Sequence, residues 1–500
     1  MKHRLSMLVG ALLSVTSLVA QDPVAQKYGN TISTSDLKEN LTILSSDAFE
    51  GRETGKRGQK IAAAFVSAHF QELGLAGPVE GSYYQPVTLY TSIPGDIYVK
   101  VGQQKYVNFG DVAYYGSSSS GGEVTLPVVF AGKGRKEDFD QLNVEGKAVV
   151  VMVKTDENFR GPLAIAREKG ARMALVFNPE PGAFQDLVKQ FKGFLGGGSL
   201  SLKKPEGNSK NAGVFFISPS VAEKILNSTV EKLTKAANED VKKEALKKMK
   251  PSAFTYQTSM DVKTLKSDNV LGYMEGTDKK DEVIIITSHY DHIGKLAGGE
   301  GDLINNGADD DGSGTVSVMS IAKAFTEAKK EGKGPRRSIL FMTVTGEEKG
   351  LLGSDFYTQN PVFPLEKTVV NLNIDMVGRR DPQHKDSAPY VYVIGSDKLS
   401  TELHTLSEST NKTYTNLIFD YTYNDQNHPD RLYYRSDHWN FAKNNIPIVF
   451  YFDGIHEDYH KPSDEVDKIE FDLLAKRAQC VFYTAWEIAN REQRIMPDKK

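Results

Sequence analysis

Four nearly unbroken apolar runs constrain this chain more than any other feature: EVIIITS, SILFMTVT, VVNLNID and IPIVFYF, at 282–288, 338–345, 369–375 and 446–452. A strand with one wet face alternates apolar and polar residues, whereas a strand buried on both faces need not. After the first run comes TVSVMSIAKAFTEAKKE, whose apolar positions recur at helical spacing. Such strands alternating with helices predict an α/β fold, a mostly parallel central sheet flanked by helices.

At 500 residues the chain is too long for one compact core, so more than one domain, or one domain with a large insertion, is expected. Near the start, TISTSDLKENLTILSSDAFEGRETGKRGQKIAAAFVSAHFQELGL holds two helical patterns around a turn rich in glycine at Gly51, Gly55 and Gly58. From about residue 95 the texture becomes β-like, with short β-branched runs such as KAVVVMV and MALVFN. FLGGGSLSLKKPEGNSKN (194–211) reads as a flexible loop, and it lacks the Lys-Ser/Thr of a phosphate loop. The Lys-rich stretch 222–250 reads as a solvated amphipathic helix or helix pair.

The first twenty residues have a basic start, MKHR, then an apolar run ending in small residues. They read as a secretory signal peptide cut after Ala20, which predicts export to the periplasm or the extracellular space. No later stretch is apolar enough to span a bilayer, so the mature chain is expected to have no integral membrane span. A net charge of −4 gives no reason to expect nucleic acid as a partner. Cys480 is the single cysteine and sits in a helical pattern, so neither an internal disulfide nor a cysteine protease is expected.

In open α/β sheets the ligand site lies beyond the carboxyl ends of the strands. The first apolar strand delivers SHYDH there, with His289, Asp291 and His292. The second delivers TGEEKG, with Glu347 and Glu348; the third NIDMVG, with Asp375. The last runs into DGIHEDYHKPSDE, with His456, His460 and Asp464. NNGADDDGSGT (305–315) adds Asp309, Asp310 and Asp311 just before a helix, which Ser313 is placed to cap. Three adjacent carboxylates repel one another, and a solvated turn or a cation would relieve that. Imidazole with carboxylate and no thiolate suits zinc or a similar divalent ion. There are too many carboxylates for one tetrahedral ion, and two ions about 3.5–4 Å apart would use them if one aspartate bridges.

The motifs SHYDHIG, NNGADDDGSG, TGEEKGLLGS, LNIDMVG, RSDHWNF and DYHKPSDEVDKI resemble, in order, those of the exported two-zinc aminopeptidase and carboxypeptidase family. That family includes bacterial leucyl aminopeptidases and plasma glutamate carboxypeptidase. SSDAFEGRETGKRG and GSYYQPVTL resemble its N-terminal part. FAGKGRKEDFDQLNVEGKAVVVMVK with AREKGARMALVFN resembles its inserted, β-rich protease-associated domain. The resemblance implies the zinc exopeptidase fold, with 21–110 the N-terminal part of the peptidase domain, 111–260 the insertion and 261–495 the main peptidase domain. It implies two Zn ions bridged by Asp310, with His289 and Asp375 completing one site and Glu348 and His460 the other. Glu347 is then the general base that activates a water between the metals. Asp291 and Asp464 orient ligands from behind, and His292 and His456 are left without a role. Arg435, Ser436, Asp437 and Tyr434 line the pocket, although Ser436 or Asp437 would equally serve as a helix cap. Tyr451 is placed to hydrogen-bond a tetrahedral intermediate.

The leading expectation is therefore an exported dizinc exopeptidase that removes N-terminal residues from peptides. A carboxypeptidase or dipeptidase of the same family needs a cation for the substrate carboxylate, and Arg435 keeps that alternative open. A glutaminyl cyclase or a non-catalytic binding protein on this fold is disfavoured by the complete ligand set.

Overall fold

The computed structural model describes residues 21–116, 118–140, 142–155, 157–196, 198–205, 213–238 and 249–499. The expected signal peptide (1–20) lies outside the described residues, as do parts of the 194–211 loop and of the Lys-rich stretch. Two compact units divide the chain. One gathers the described residues of Met1–Val87 and Lys266–Lys500, the other is Thr88–Leu265.

In the first unit the apolar runs form the sheet they predict. Its strands are β1 (Tyr84–Pro94), β2 (Met260–Met274), β3 (Lys279–His289), β4 (Arg337–Val344), β5 (Thr368–Ile374), β6 (Tyr390–Ile394), β7 (Ile418–Asp420) and β8 (Ile448–Phe452). Their spatial order is β7-β6-β8-β5-β3-β4-β2-β1. The central strands β4, β3, β5 and β8 are mutually parallel, while β2 and β6 pair antiparallel at their flanks. Alternate residues of the buried strands feed two cores. Ile284, Ile286, Leu372 and Ile374 pack with Leu37, Leu41, Val66, Phe70, Phe325 and Trp486 of the helices on one face. Ile285, Leu340, Met342, Phe450 and Phe452 pack with Tyr357 and Phe441 on the other. Burial on both faces is why these strands carry no polar alternation. The chain leaves this unit within β1 and returns within β2.

The second unit is β-rich. Val112–Tyr115, Val214–Ile217, Met173–Phe177, Ala148–Met152 and Val128–Phe130 form a five-stranded sheet in that order, parallel except for its first strand. A four-stranded antiparallel sheet holds Gln104–Val107, Tyr98–Val101, Phe254–Gln257 and Val124–Leu126. The described part of the Lys-rich stretch is a helix pair, Pro219–Leu226 and Val230–Asn238. Within the expected flexible loop, Ser199–Ser201 instead forms a strand that pairs with Tyr90, Thr91 and Ser92, satisfying backbone groups on that edge.

Candidate metal centre

Every candidate ligand sits where a central strand of the first unit ends or in a loop beside it. His289 is the last residue of β3. Its backbone N–H donates to Asp311 Oδ2 at 3.1 Å and its Nδ1 stands 3.0 Å from the Asp291 carbonyl oxygen, which leaves Nε2 facing outward. The Asp291 carboxylate is 3.9 Å from that ring; it accepts instead from the Thr54 hydroxyl at 2.7 Å and from the Glu347 backbone N–H at 3.2 Å. Asp291 therefore orients His289 through its backbone and Glu347 through its side chain.

The three adjacent aspartates have three separate tasks. Asp311 Oδ1 accepts from the N–H groups of Gly314 and Met376, so it caps the helix Gly314–Lys330. Ser313, the expected cap, donates to the Asp309 carbonyl and makes no cap bond. Asp309 accepts from Gly378 N–H at 2.7 Å and faces His456. Asp310 turns Oδ1 to Nε2 of His289, at 3.3 Å, and Oδ2 to Nε2 of His460, at 3.0 Å. Its peptide bond to Asp311 is cis. The loop is held from behind by Asp464, whose carboxylate accepts from the N–H groups of Asp309 and Asp310 at 3.1 Å. Asp464 thus holds the aspartate loop rather than His460. Arg52, wholly buried, donates to the carbonyls of Tyr290, Leu44, Asn306 and Gly307.

Around Asp310 the other groups close in. His289 Nε2 is 3.6 Å from Asp375 Oδ1 and 3.9 Å from Glu347 Oε2. His460 Nε2 is 3.1 Å from Glu348 Oε2. Gly346, with φ of 68°, makes the left-handed turn that lets Glu347 and Glu348 follow β4 at once. His460 itself has φ of 57°, a costly backbone for a non-glycine residue and one that collects at functional sites. Two groups of ligand atoms lie within 4.8 Å of one another: His289, Glu347 and Asp375, and His292, Asp310 and Glu348. His292, given no role by sequence, is buried, with Nδ1 2.8 Å from Glu348 Oε1; it fixes that carboxylate so that Oε2 faces His460.

These atoms fit divalent ions. Ligands about 2.0–2.1 Å from a tetrahedral ion stand roughly 3.3 Å from each other. The edges His289–Asp310, His289–Asp375, His460–Asp310 and His460–Glu348 run from 3.0 to 3.6 Å. Asp310 Oδ2 and His460 Nε2 are buried and have no hydrogen-bond partner among the described residues, although they face each other. A cation between them would satisfy both, and buried polar atoms rarely lack partners otherwise.

Charge shapes the protonation of the cluster. Burial alone would raise the Asp310 carboxyl, but His289, His460 and His292 outweigh it and hold the group well below the usual carboxylate range. Burial drives Glu347 well above that range; His289 opposes the rise, and the Asp375 and Glu348 charges add to it.

A cavity opens on His289, Asp310, Glu347 and Asp375 and continues along Leu432, Phe450, Arg435 and Tyr459. Arg435 is exposed there and has no carboxylate partner among the described residues. Ser436 is buried; its hydroxyl donates to Asp375 Oδ2 at 2.6 Å and accepts from Asn373 Nδ2 at 2.9 Å. Asp437, buried as well, accepts from the Ser354 hydroxyl and makes no helix-cap bond. Burial pushes its carboxyl up to about 7. Neither residue makes the helix-cap bond expected of it, and the lining of the cavity runs through Arg435 instead. Tyr451 is a clear correction: it lies within β8, between Phe450 and Phe452, and packs in the opposite core with Cys480. Side chains alternate along a strand, so Tyr451 points away from the cavity that Phe450 lines. The tyrosine that lines the cavity is Tyr459, stacked on His460 with ring centroids 3.9 Å apart.

Residues 269–485 match the model of peptidase family M28. Among similar proteins, aminopeptidase YwaD of Bacillus subtilis (strain 168) is 24% identical over 384 residues, 75% of this chain and 70% of that one. A probable leucine aminopeptidase of Trichophyton verrucosum is 28% identical over 219 residues, 42% of this chain and 55% of the fungal protein. The fold is shared with an aminopeptidase from Aneurinibacillus sp. strain AM-1, at TM-score 0.58 and 18% identity over 95% of this chain and 97% of that one. It is also shared with the zinc aminopeptidase BSAP from Bacillus subtilis, at TM-score 0.52 and 19% identity, covering 94% and 99% of the two chains.

Proposed function

From the match of residues 269–485 to the model of peptidase family M28, we propose that the chain is a member of that family and an exported two-zinc aminopeptidase. The observation that supports this reading most is the split attention of Asp310, one oxygen toward His289 and the other toward His460. In it, His289 and Asp375 would hold one zinc and Glu348 and His460 the other, with Asp310 shared between them. Bound there, two divalent ions supply Lewis acidity toward the scissile carbonyl and lower the pKa of the attacking water.

The chain's own residues do the rest. Glu347 stands 3.9 Å from His289 Nε2, farther than Asp310 and Asp375 on the same nitrogen. That distance suits a group beside the metals that stays free of them. It takes the proton of the attacking water and hands it to the departing amine. Asp291 fixes where Glu347 begins, through its backbone N–H. Ser436 occupies Asp375 Oδ2 and leaves Oδ1 for the ion. Export rests on the basic and apolar pattern of residues 1–20, and the unit Thr88–Leu265 takes the part of the protease-associated insertion.

One observation favours a second reading: Arg435, exposed at the cavity and without a carboxylate partner among the described residues, suits the terminal carboxylate of a short peptide, as a dipeptidase or carboxypeptidase requires. Free-amino and N-blocked fluorogenic substrates, assayed with and without chelator, decide between them. Hydrolysis of free-amino substrates that chelator abolishes is expected. Cleavage of blocked substrates alone overturns the aminopeptidase, and chelator-resistant turnover overturns the metal mechanism.

A further inference from the structure

His456 carries no role in the mechanism above, yet it is buried to 3% exposure against Asp309, the residue just before the shared aspartate. Its Nε2 lies 3.1 Å from Asp309 Oδ2. The Asp458 backbone N–H donates to its Nδ1 at 3.3 Å, so Nδ1 is the acceptor and Nε2 carries the proton given to Asp309. The other Asp309 oxygen accepts from Gly378 N–H, three residues beyond Asp375. Asp309 therefore ties the loop that bears Asp310 to the segment that bears Asp375, and His456 fixes Asp309 from the segment that bears His460. Three parts of the proposed centre meet in this one carboxylate. Without a donor on Oδ2, a buried charge beside two further aspartates loses its imidazole partner, and rotation of Asp309 would release the Gly378 bond with it.

We propose that His456 is a positioning residue: by holding Asp309 it fixes Asp310 between His289 and His460 and so sets the affinity of the centre for its ions. This rests on the two-zinc reading. The rival role, bracing its own loop through Asp458, predicts a different rescue. Gln places an amide nitrogen where Nε2 stands and can donate to Asp309, whereas Asn retains an acceptor near Nδ1 but no donor toward Asp309.

The test is zinc affinity of the full chain in metal buffers, with bound ions counted by mass spectrometry and melting followed with and without zinc. His456→Ala and His456→Asn are expected to weaken zinc binding about 10–100-fold, the usual cost of losing an outer partner. Their zinc-induced rise in Tm should shrink in step, while His456→Gln stays close to wild type. Wild-type affinity in His456→Ala overturns the inference, as does rescue by Asn and not by Gln. A wild type that binds two ions beside an unaffected His456→Ala sinks this inference alone; a wild type that binds none sinks the two-zinc reading and this inference together.

Discussion

The Ser436 hydroxyl donates to Oδ2 of Asp375 at 2.6 Å, while Oδ1 of the same carboxylate stands 3.6 Å from His289 Nε2. One oxygen is anchored so that the other points into the centre. Ser436→Ala removes the anchor and frees the carboxylate to rotate. The expected result is about 10–100-fold weaker binding of the ion held by His289 and Asp375. The ion held by Glu348 and His460 should be much less affected. Stepwise zinc titration against a chelator, read as ions per chain, checks this.

Glu347 is the residue for which metal binding and turnover should come apart. Glu347→Gln has nearly the same shape and cannot accept the water proton. Both ions are expected to remain, and kcat to fall by about 10²–10⁴, the range general-base catalysis supplies. The paired measurement is zinc content and kcat on one preparation. Near wild-type kcat with two zincs bound would remove Glu347 from the role of base.

Much of this centre could be read in the sequence because parallel strands buried on both faces announce themselves, and their carboxyl ends are where ligands collect. His289, Asp310, Glu348, Asp375 and His460 all follow from that rule together with the family resemblance, and the structure draws them to one place. What stayed hidden depends on contacts between distant segments. Arg52 precedes the loop it holds by more than 250 positions, and no local pattern marks an arginine that will donate to Asn306 and Gly307. His292 and His456 each share a short motif with a stronger candidate, and only coordinates show them fixing Glu348 and Asp309. Tyr451 lies inside the apolar run that forms β8, and which face of the strand it takes depends on the pleat, which turns it to the other core.

Arg52 makes a prediction about stability as well as the site. Its four carbonyl acceptors are at 2.6–3.2 Å, and it feels the charges of Asp310, Asp464, Asp311 and Asp291. Arg52→Met leaves the Leu44, Tyr290 and Asn306 carbonyls without a donor and removes a buried cation from beside the aspartates. A loss of about 3–5 kcal/mol is expected, as when one partner of a buried charge network is removed. Arg52→Lys should fall between, since one ammonium cannot reproduce the planar fork. Urea unfolding of the metal-free chain gives the number directly.

His438 should make the fold sensitive to acid. It is fully buried, its Nε2 stands 2.8 Å from the Tyr433 carbonyl and its ring stacks on Phe450 at 4.6 Å. Burial pushes its pKa down to about 3, against the smaller upward pull of the Tyr433 carbonyl. In the unfolded chain a histidine titrates near 6.5. Below that pH the unfolded state binds a proton that the folded state refuses, so stability is whole above about 6.5 and falls as pH drops toward 3. By pH 4.5 the contribution lost is about 3 kcal/mol, two pH units at about 1.4 kcal/mol each. Gln at this position keeps a donor for the Tyr433 carbonyl and does not titrate. Urea unfolding between pH 7 and 4.5 should therefore show a shallower decline in His438→Gln than in wild type, whatever its stability at neutral pH. Parallel declines in the two proteins would mean that His438 takes up its proton while folded.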